Sequence, residues 1–185
     1  MMHPIHTITP IDPRPEFISL IRAKEHLKID FDDENDLINI IIEAAIEACE
    51  NYMGICIFPK TVVLKMKEFA PSVAVNYSPI KKDTVAVSYK NTLGNSRPFD
   101  DYVFTESFGQ KPKFFHIGDS FPDLENKYDA VQITYEAGIA PGELPKAIEQ
   151  AILLTISDFY EYRTDRAEIH NTRAMSLMRP YKIWI

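Results

Sequence analysis

Residues 33–54 read DENDLINIIIEAAIEACENYMG, and this stretch decides the fold. Apolar residues recur at helical spacing: Leu37, Ile41, Ala44, Ala45, Ala48 and Tyr52 along one line, Ile38, Ile42, Cys49 and Met53 along the next. Glu43, Glu47, Glu50 and Asn51 fall outside that stripe. Asp32 or Asp33 is placed to cap the first turn, and the carboxylates of Glu34 and Asp36 suit the positive end of the helix dipole. Gly54 stands where a helix end favours a positive φ. The spacing therefore predicts one long helix over about 33–53. So wide a stripe needs apolar partners on more than one side, and the flanking sequence supplies them.

On the N-terminal side, Ser19 is a suitable cap, and Leu20, Ala23 and Leu27 follow at helical spacing, which predicts a short helix over about 19–28. Residues 1–16 hold Pro4, Pro10, Pro13 and Pro15. Each proline fixes φ and removes a donor, so this segment is expected to be an extended arm, either disordered or laid along another surface. Beyond Gly54 the period changes to alternation. Val62, Leu64 and Met66 oppose Lys65 and Lys67, and further short strands are predicted at Val73–Tyr77, Val85–Tyr89, Tyr102–Thr105, Lys113–Ile117 and Ala130–Tyr135. Helical spacing then returns with Ile148, Ala151, Ile152, Thr155, Phe159 and Tyr162, predicting a third helix over about 145–163 that opens at Pro145. A last short helix, Thr172–Met178, is stopped by Pro180.

The expected fold class is α+β: a small helical bundle (helices about 19–28, 33–53 and 145–163) with an antiparallel β insert (about 60–136) between the second and third helices. The expected organisation is an arm, 1–16, and a single domain, 17–185, whose tail is 172–185.

Composition narrows the function classes. A 45% hydrophobic and 25% charged chain is ordinary for a globular protein. A net charge of −7 argues against a protein that grips nucleic acid over its whole surface. Cys49 and Cys56 cannot make a disulfide framework and are expected to be buried, reduced thiols. The N-terminus has no apolar h-region, and the longest apolar run falls far short of the ~18 residues a membrane span needs, so a cytoplasmic, non-membrane protein is expected.

Catalytic signatures are scarce. The sequence has no P-loop, GxGxxG, HExxH or GxSxG. His3, His6, His26, His116 and His170 fall at no metal-ligand spacing. The acidic run Asp30, Asp32, Asp33, Glu34, Asp36 lacks the glycine and glutamate of a calcium loop, because Asn35 and Ile41 occupy those places. Gly118-Asp119-Ser120-Phe121 looks like the serine block of GDSL esterases, but the paired Asp and His of that family have no match near the C-terminus, and a serine without a base is a weak nucleophile. Phe104, Phe108, Phe114, Phe115 and Phe121 could form a stacking platform for bases, yet only Lys111 and Lys113 accompany them, which favours packing. The apolar ending Tyr181-Lys182-Ile183-Trp184-Ile185 needs a cover, either its own core or another chain.

Several blocks together resemble the head–tail connector (head-completion adaptor) family of tailed double-stranded DNA phages. They are Ser19-Leu20, Ala23-Lys24 and His26-Leu27-Lys28-Ile29-Asp30, then Asp33, Asp36-Leu37-Ile38 and Ala44-Ala45. In the second half they are Val131, Ile133-Thr134-Tyr135, Ala137-Gly138, Leu144-Pro145, Ala147-Ile148, Gln150 to Leu154, Tyr160-Glu161, Arg163 and Pro180 to Trp184. Each block is weak alone, and their order and spacing carry the resemblance. It implies a helical bundle with a β insert and a structural role: a ring under the portal that joins the DNA-filled head to the tail and extends the DNA channel. The implied partners are the portal protein, a tail-side head-completion protein and further copies of the chain, with DNA only as passing cargo. No cofactor, metal or catalytic residue is implied, and the protein is not expected to be an enzyme. The implied locations are the host cytoplasm during assembly and the virion neck afterwards, with a prophage source. Arg179, Tyr181, Ile183 and Trp184 are the residues expected to bind the portal or a neighbouring subunit. The rival readings are a small phage-encoded hydrolase, revealed by metal-dependent turnover, and a DNA-packaging helper, revealed by salt-sensitive DNA binding.

Overall fold

The structure is a computed structural model and describes residues 5–105, 111–118, 120–140, 142–162 and 172–183. The elements in chain order are β1 (Ile5–Pro10), α1 (Leu20–Leu27), α2 (Asn35–Met53), β2 (Lys60–Met66), β3 (Ser72–Ala74), β4 (Ile80–Lys90), β5 (Ser96–Pro98), β6 (Tyr102–Thr105), β7 (Lys113–His116), β8 (Val131–Ala137), α3 (Lys146–Glu161) and α4 (Thr172–Met178). A 3₁₀ turn, Arg179–Tyr181, follows α4. The chain is α+β and divides into two compact units, one helical (Pro15–Ile57 with Ile139–Trp184) and one of strands (chiefly the chain up to Arg14 with Phe58–Gly138).

In the helical unit, α2 buries Ile38, Ile41, Ile42, Ala45, Ile46, Cys49, Glu50 and Met53, a stripe at i, i+3, i+4 and i+7 spacing. Fully burying one such isoleucine stabilises by roughly 1.5–3 kcal/mol. Two details correct the expected stripe. Ala44 is exposed, and Glu50 lies inside the stripe at 6% exposure. Glu50 tolerates this place because its Oε1 accepts the Ile57 N–H at 2.6 Å. The start of the helix is corrected too. Neither Asp32 nor Asp33 caps it; Glu34 occupies the cap position without a side-chain cap bond. The Asp32 carboxylate is instead taken by the Lys24 ammonium at 2.7 Å and the Asn35 amide at 3.3 Å, which together hold it below the usual carboxylate range. Ser19 caps α1 as expected, accepting the Arg22 N–H at 3.1 Å, and Gly54 ends α2 at φ 70°.

Helix α3 packs on α2 and α4. It buries Ile148, Ala151, Ile152, Leu153 and Ile156, while Phe159 and Tyr162 are exposed rather than part of the buried stripe. The Tyr160 hydroxyl donates to the Glu34 carboxylate, and Cys49 Sγ lies 3.8 Å from Thr155 Oγ1, so polar contacts join α2 to α3 at two places. Cys49 and Cys56 are both buried and form no disulfide, and burial pushes the Cys49 thiol up to about 11.

The strand unit holds two antiparallel sheets rather than one, a five-stranded sheet in the order β1-β2-β8-β4-β5 and a three-stranded sheet in the order β3-β7-β6. The predicted strands hold with shifted ends; β5 is additional, and the proline-rich arm contributes β1. Strand β8 is the spine of the large sheet. Val131, Ile133, Tyr135 and Ala137 are buried on it and alternate with half-buried Gln132, Thr134 and Glu136. Its partner β4 shifts register between Lys81 and Ala86. There Thr84 Oγ1 donates to the Lys81 carbonyl at 2.7 Å and accepts the Glu136 N–H at 2.9 Å, replacing the interrupted ladder. Phe114 of β7 faces Tyr135 of β8 with ring centroids 6.1 Å apart, joining the sheets.

Candidate interaction surfaces

The tail is the first candidate. Pro180 ends α4, and the Lys182 N–H closes a 3₁₀ turn on the Arg179 carbonyl at 3.3 Å. The Ile183 N–H then bonds to the Met53 carbonyl at 2.8 Å. That carbonyl is among the last four of α2, which have no partner within the helix. The Lys182 ammonium stands 4.5 Å from the centre of the Tyr52 ring and suits the negative end of the same helix. Of the expected binding residues, Arg179 is exposed, Tyr181 half-buried and Ile183 buried, and Trp184 lies outside the described residues. The structure thus brings Ile183 to Met53 and Gly54, an association the sequence separation conceals.

In the strand unit, the small sheet has one covered and one open face. Phe104 packs on Phe114 (5.2 Å between centroids), as does Tyr102 (5.9 Å). On the other face Val103 pairs with Phe115, and Ile117 continues the line; all three are exposed. On the covered side Phe69, Phe99, His116 and Phe121 form an aromatic cluster, with Phe69 stacked on Phe121 at 5.2 Å and His116 tilted against Phe121 at 4.1 Å. The cluster lines a small cavity of about 30 Å³, enough to admit water. Phe121 explains the esterase-like block: its loop anchors a ring and leaves Ser120 exposed. Phe108 and Asp119 lie outside the described residues. Among the described residues no group of three or more His, Cys, Asp or Glu could hold a metal ion, and no helix is long and apolar enough to cross a membrane.

Strand β1 is the third candidate. His6, opposite Leu64, meets Tyr77 edge-on at 6.1 Å. Burial first, then the Lys111 charge, lowers the His6 pKa from 6.5. The sign follows from linkage: below pH 6.5 the unfolded chain holds a proton that the folded strand resists. Docking of β1 is therefore at full strength above pH 6.5 and weakens as pH falls through the lowered folded value. Amide hydrogen exchange of residues 5–10 is expected to quicken between pH 7 and 5 relative to the β8 amides, and His6→Gln is expected to remove the difference.

Residues 17–107, spanning α1, α2 and β2 to β6, match the family described as phage gp6-like head–tail connector protein. No curated protein matches the sequence. Among solved structures, a chain in the virion of a native gene transfer agent (GTA) particle is 19% identical, with a TM-score of 0.76 over 96% of each chain. A chain from the neck of the empty GTA particle, computed with C6 symmetry, is 16% identical with a TM-score of 0.75 over 97% of this chain and 96% of that one. A chain from the neck of the native particle, computed with C12 symmetry, gives 18%, 0.73 and the same coverage. At these identities the likeness is one of fold, and it runs nearly end to end. The family likeness thus rests on residues 17–107, which match the phage gp6-like head–tail connector family.

Proposed function

We propose that this protein is a structural component of a virion, a connector that forms a ring under the portal, joins the DNA-filled head to the tail and extends the DNA channel. The observation that carries the reading is the family match over residues 17–107. The near-complete fold likeness to chains of particles whose necks were computed with C6 and C12 symmetry supports it. In this reading residues 17–185 are the connector body, a helical bundle with the strands between α2 and α3 as its insert, and 172–185 are its tail. The partners are the portal protein, a tail-side head-completion protein and further copies of the chain. Assembly takes place in the host cytoplasm, and the role requires no catalysis. The acidic balance, −7, suits a channel through which DNA must slide without being gripped.

The tail residues Arg179, Tyr181, Ile183 and Trp184 are assigned to the portal or a neighbouring subunit. The test is light scattering and negative-stain imaging of the purified chain, alone and with its portal protein. A ring, alone or on the portal, is expected; a monomer indifferent to the portal overturns the reading. Arg179 is exposed, so Arg179→Ala should leave the melting curve unchanged. It is expected to weaken portal binding about tenfold, the loss typical of a residue that dominates an interface. Unchanged binding, with a truncation of 179–185 that only unfolds the monomer, overturns the tail assignment.

A further inference from the structure

Strand β1 is held almost wholly by its backbone. Its six residues pair in register with β2, from Ile5 opposite Lys65 to Pro10 opposite Lys60, and the Ile11 N–H extends the ladder to the Pro59 carbonyl at 3.1 Å. Yet every side chain but that of His6 is exposed, including Ile5 at 51% and Ile8 at 40%. The strand lies at the edge of its sheet, at one end of the order, and among the described residues only β2 pairs with it. It belongs to the strand unit, whereas the chain from Pro15 on belongs to the helical unit. The connector between β1 and α1, residues 11–19, contains no helix or strand. Pro13 and Pro15 remove donors from it, so moving it forfeits few backbone bonds. Nine such residues can reach about 30 Å.

We infer that β1 is an exchangeable strand: in the assembled ring, residues 5–10 of each subunit pair with β2 of the next. The occupant of the β2 edge is thus a second copy of this chain. An identical copy supplies the same ladder and the same apolar match, Ile8 opposite Val62, without any change of register. Passing a strand from each subunit to the next is a head-to-tail contact, the kind that closes into a ring, and exchange of an identical element carries little energetic cost. In a dilute monomer the strand's own β2 is the nearest partner; in a ring the neighbour's β2 competes at a high effective concentration. This inference rests on the ring reading above.

The test uses two full-length variants, Thr7→Cys and Val63→Cys, whose positions are directly opposite in the ladder. Such pairs bring Cβ atoms within ~5 Å, close enough for a disulfide. The two are mixed in equal amounts, assembled on the portal and oxidised with copper–phenanthroline, which accepts the two electrons released as the S–S bond forms. Exchange predicts disulfides between Thr7→Cys and Val63→Cys chains involving about half of the subunits, since a quarter of the junctions in a random ring carry the matched pair. Mass spectrometry of the linked peptides identifies the pair. The Thr9→Cys and Thr61→Cys pair repeats the test and guards against a folding defect. Rings that form without any such link, while the double variant Thr7→Cys/Val63→Cys closes within single chains, overturn the exchange and leave the connector reading standing. An unmodified chain that forms no ring overturns both.

Discussion

Gly138→Ala is expected to be the most damaging single methyl group that can be added to this protein. Gly138 follows β8 at φ +138°, a conformation that side-chain-bearing residues rarely adopt. A Cβ there would stand 2.7 Å from Pro59 Cα and 3.0 Å from both the Phe58 carbonyl oxygen and Pro59 N. These are backbone atoms at the start of β2 and cannot swing aside as a flexible side chain could. The Gly138 N–H is also committed, bonding to the Pro79 carbonyl at 2.9 Å just before β4. Strain in the backbone and overpacking each cost about 1–3 kcal/mol, so the variant should lose about 3–5 kcal/mol. For a chain of this length that lowers the melting temperature by about 10 °C. Gly142→Ala is the control: Gly142 also has a positive φ, +87°, but nothing among the described residues lies within 4 Å of the added carbon. Its cost should stay near the ~1 kcal/mol of backbone strain alone. Equal losses for the two variants would show that crowding against Pro59 is not the cause.

Glu50→Leu should be nearly as costly, although leucine looks better suited to a buried stripe. Glu50 is 6% exposed, and its Oε1 holds the Ile57 amide at 2.6 Å. Its own backbone carbonyl accepts the Gly54 N–H at 2.8 Å. One residue therefore closes the helix end and ties down the turn that follows. Leucine keeps the second bond and deletes the first, leaving a buried N–H with no acceptor. Losing a hydrogen bond to a charged group, with its former partner left buried, costs about 2–3 kcal/mol. Glu50→Gln retains an acceptor of similar reach and should lose less than ~1 kcal/mol. Urea unfolding followed by circular dichroism measures both; a Leu variant as stable as the Gln variant would mean that Ile57 finds another acceptor.

Glu50 also shows where sequence reading stops. The helix itself was legible, because the period of its apolar residues and the glycine at its end are local signals. That a glutamate belongs to the buried face was not, because its acceptor role depends on how the chain turns after Gly54. The start of α2 failed for the same reason: Asp32 reads as a cap until Lys24, eight residues earlier, takes its carboxylate. Strand β1 was hidden by its prolines, which argue against regular structure everywhere except at a sheet edge. For the tail, composition revealed a segment that needs a cover, and the resemblance supplied its family. The Met53 carbonyl that receives Ile183 lies too far away in the sequence for any pattern to reveal.

Both units are discontinuous in the chain, and this bears on the order of synthesis. Strand β1 emerges from the ribosome before α1 and α2, yet its partner β2 follows them. Helix α2 emerges early, but α3 and α4, which cover its stripe, are translated only after all eight strands. Contacts between distant segments slow folding, and an uncovered apolar helix is prone to associate wrongly while it waits. The nascent helical unit therefore leaves the apolar stripe of α2 without α3 and α4 until translation passes Met178. A stall anywhere in residues 58–138 leaves α2 without α3 and should yield insoluble fragments.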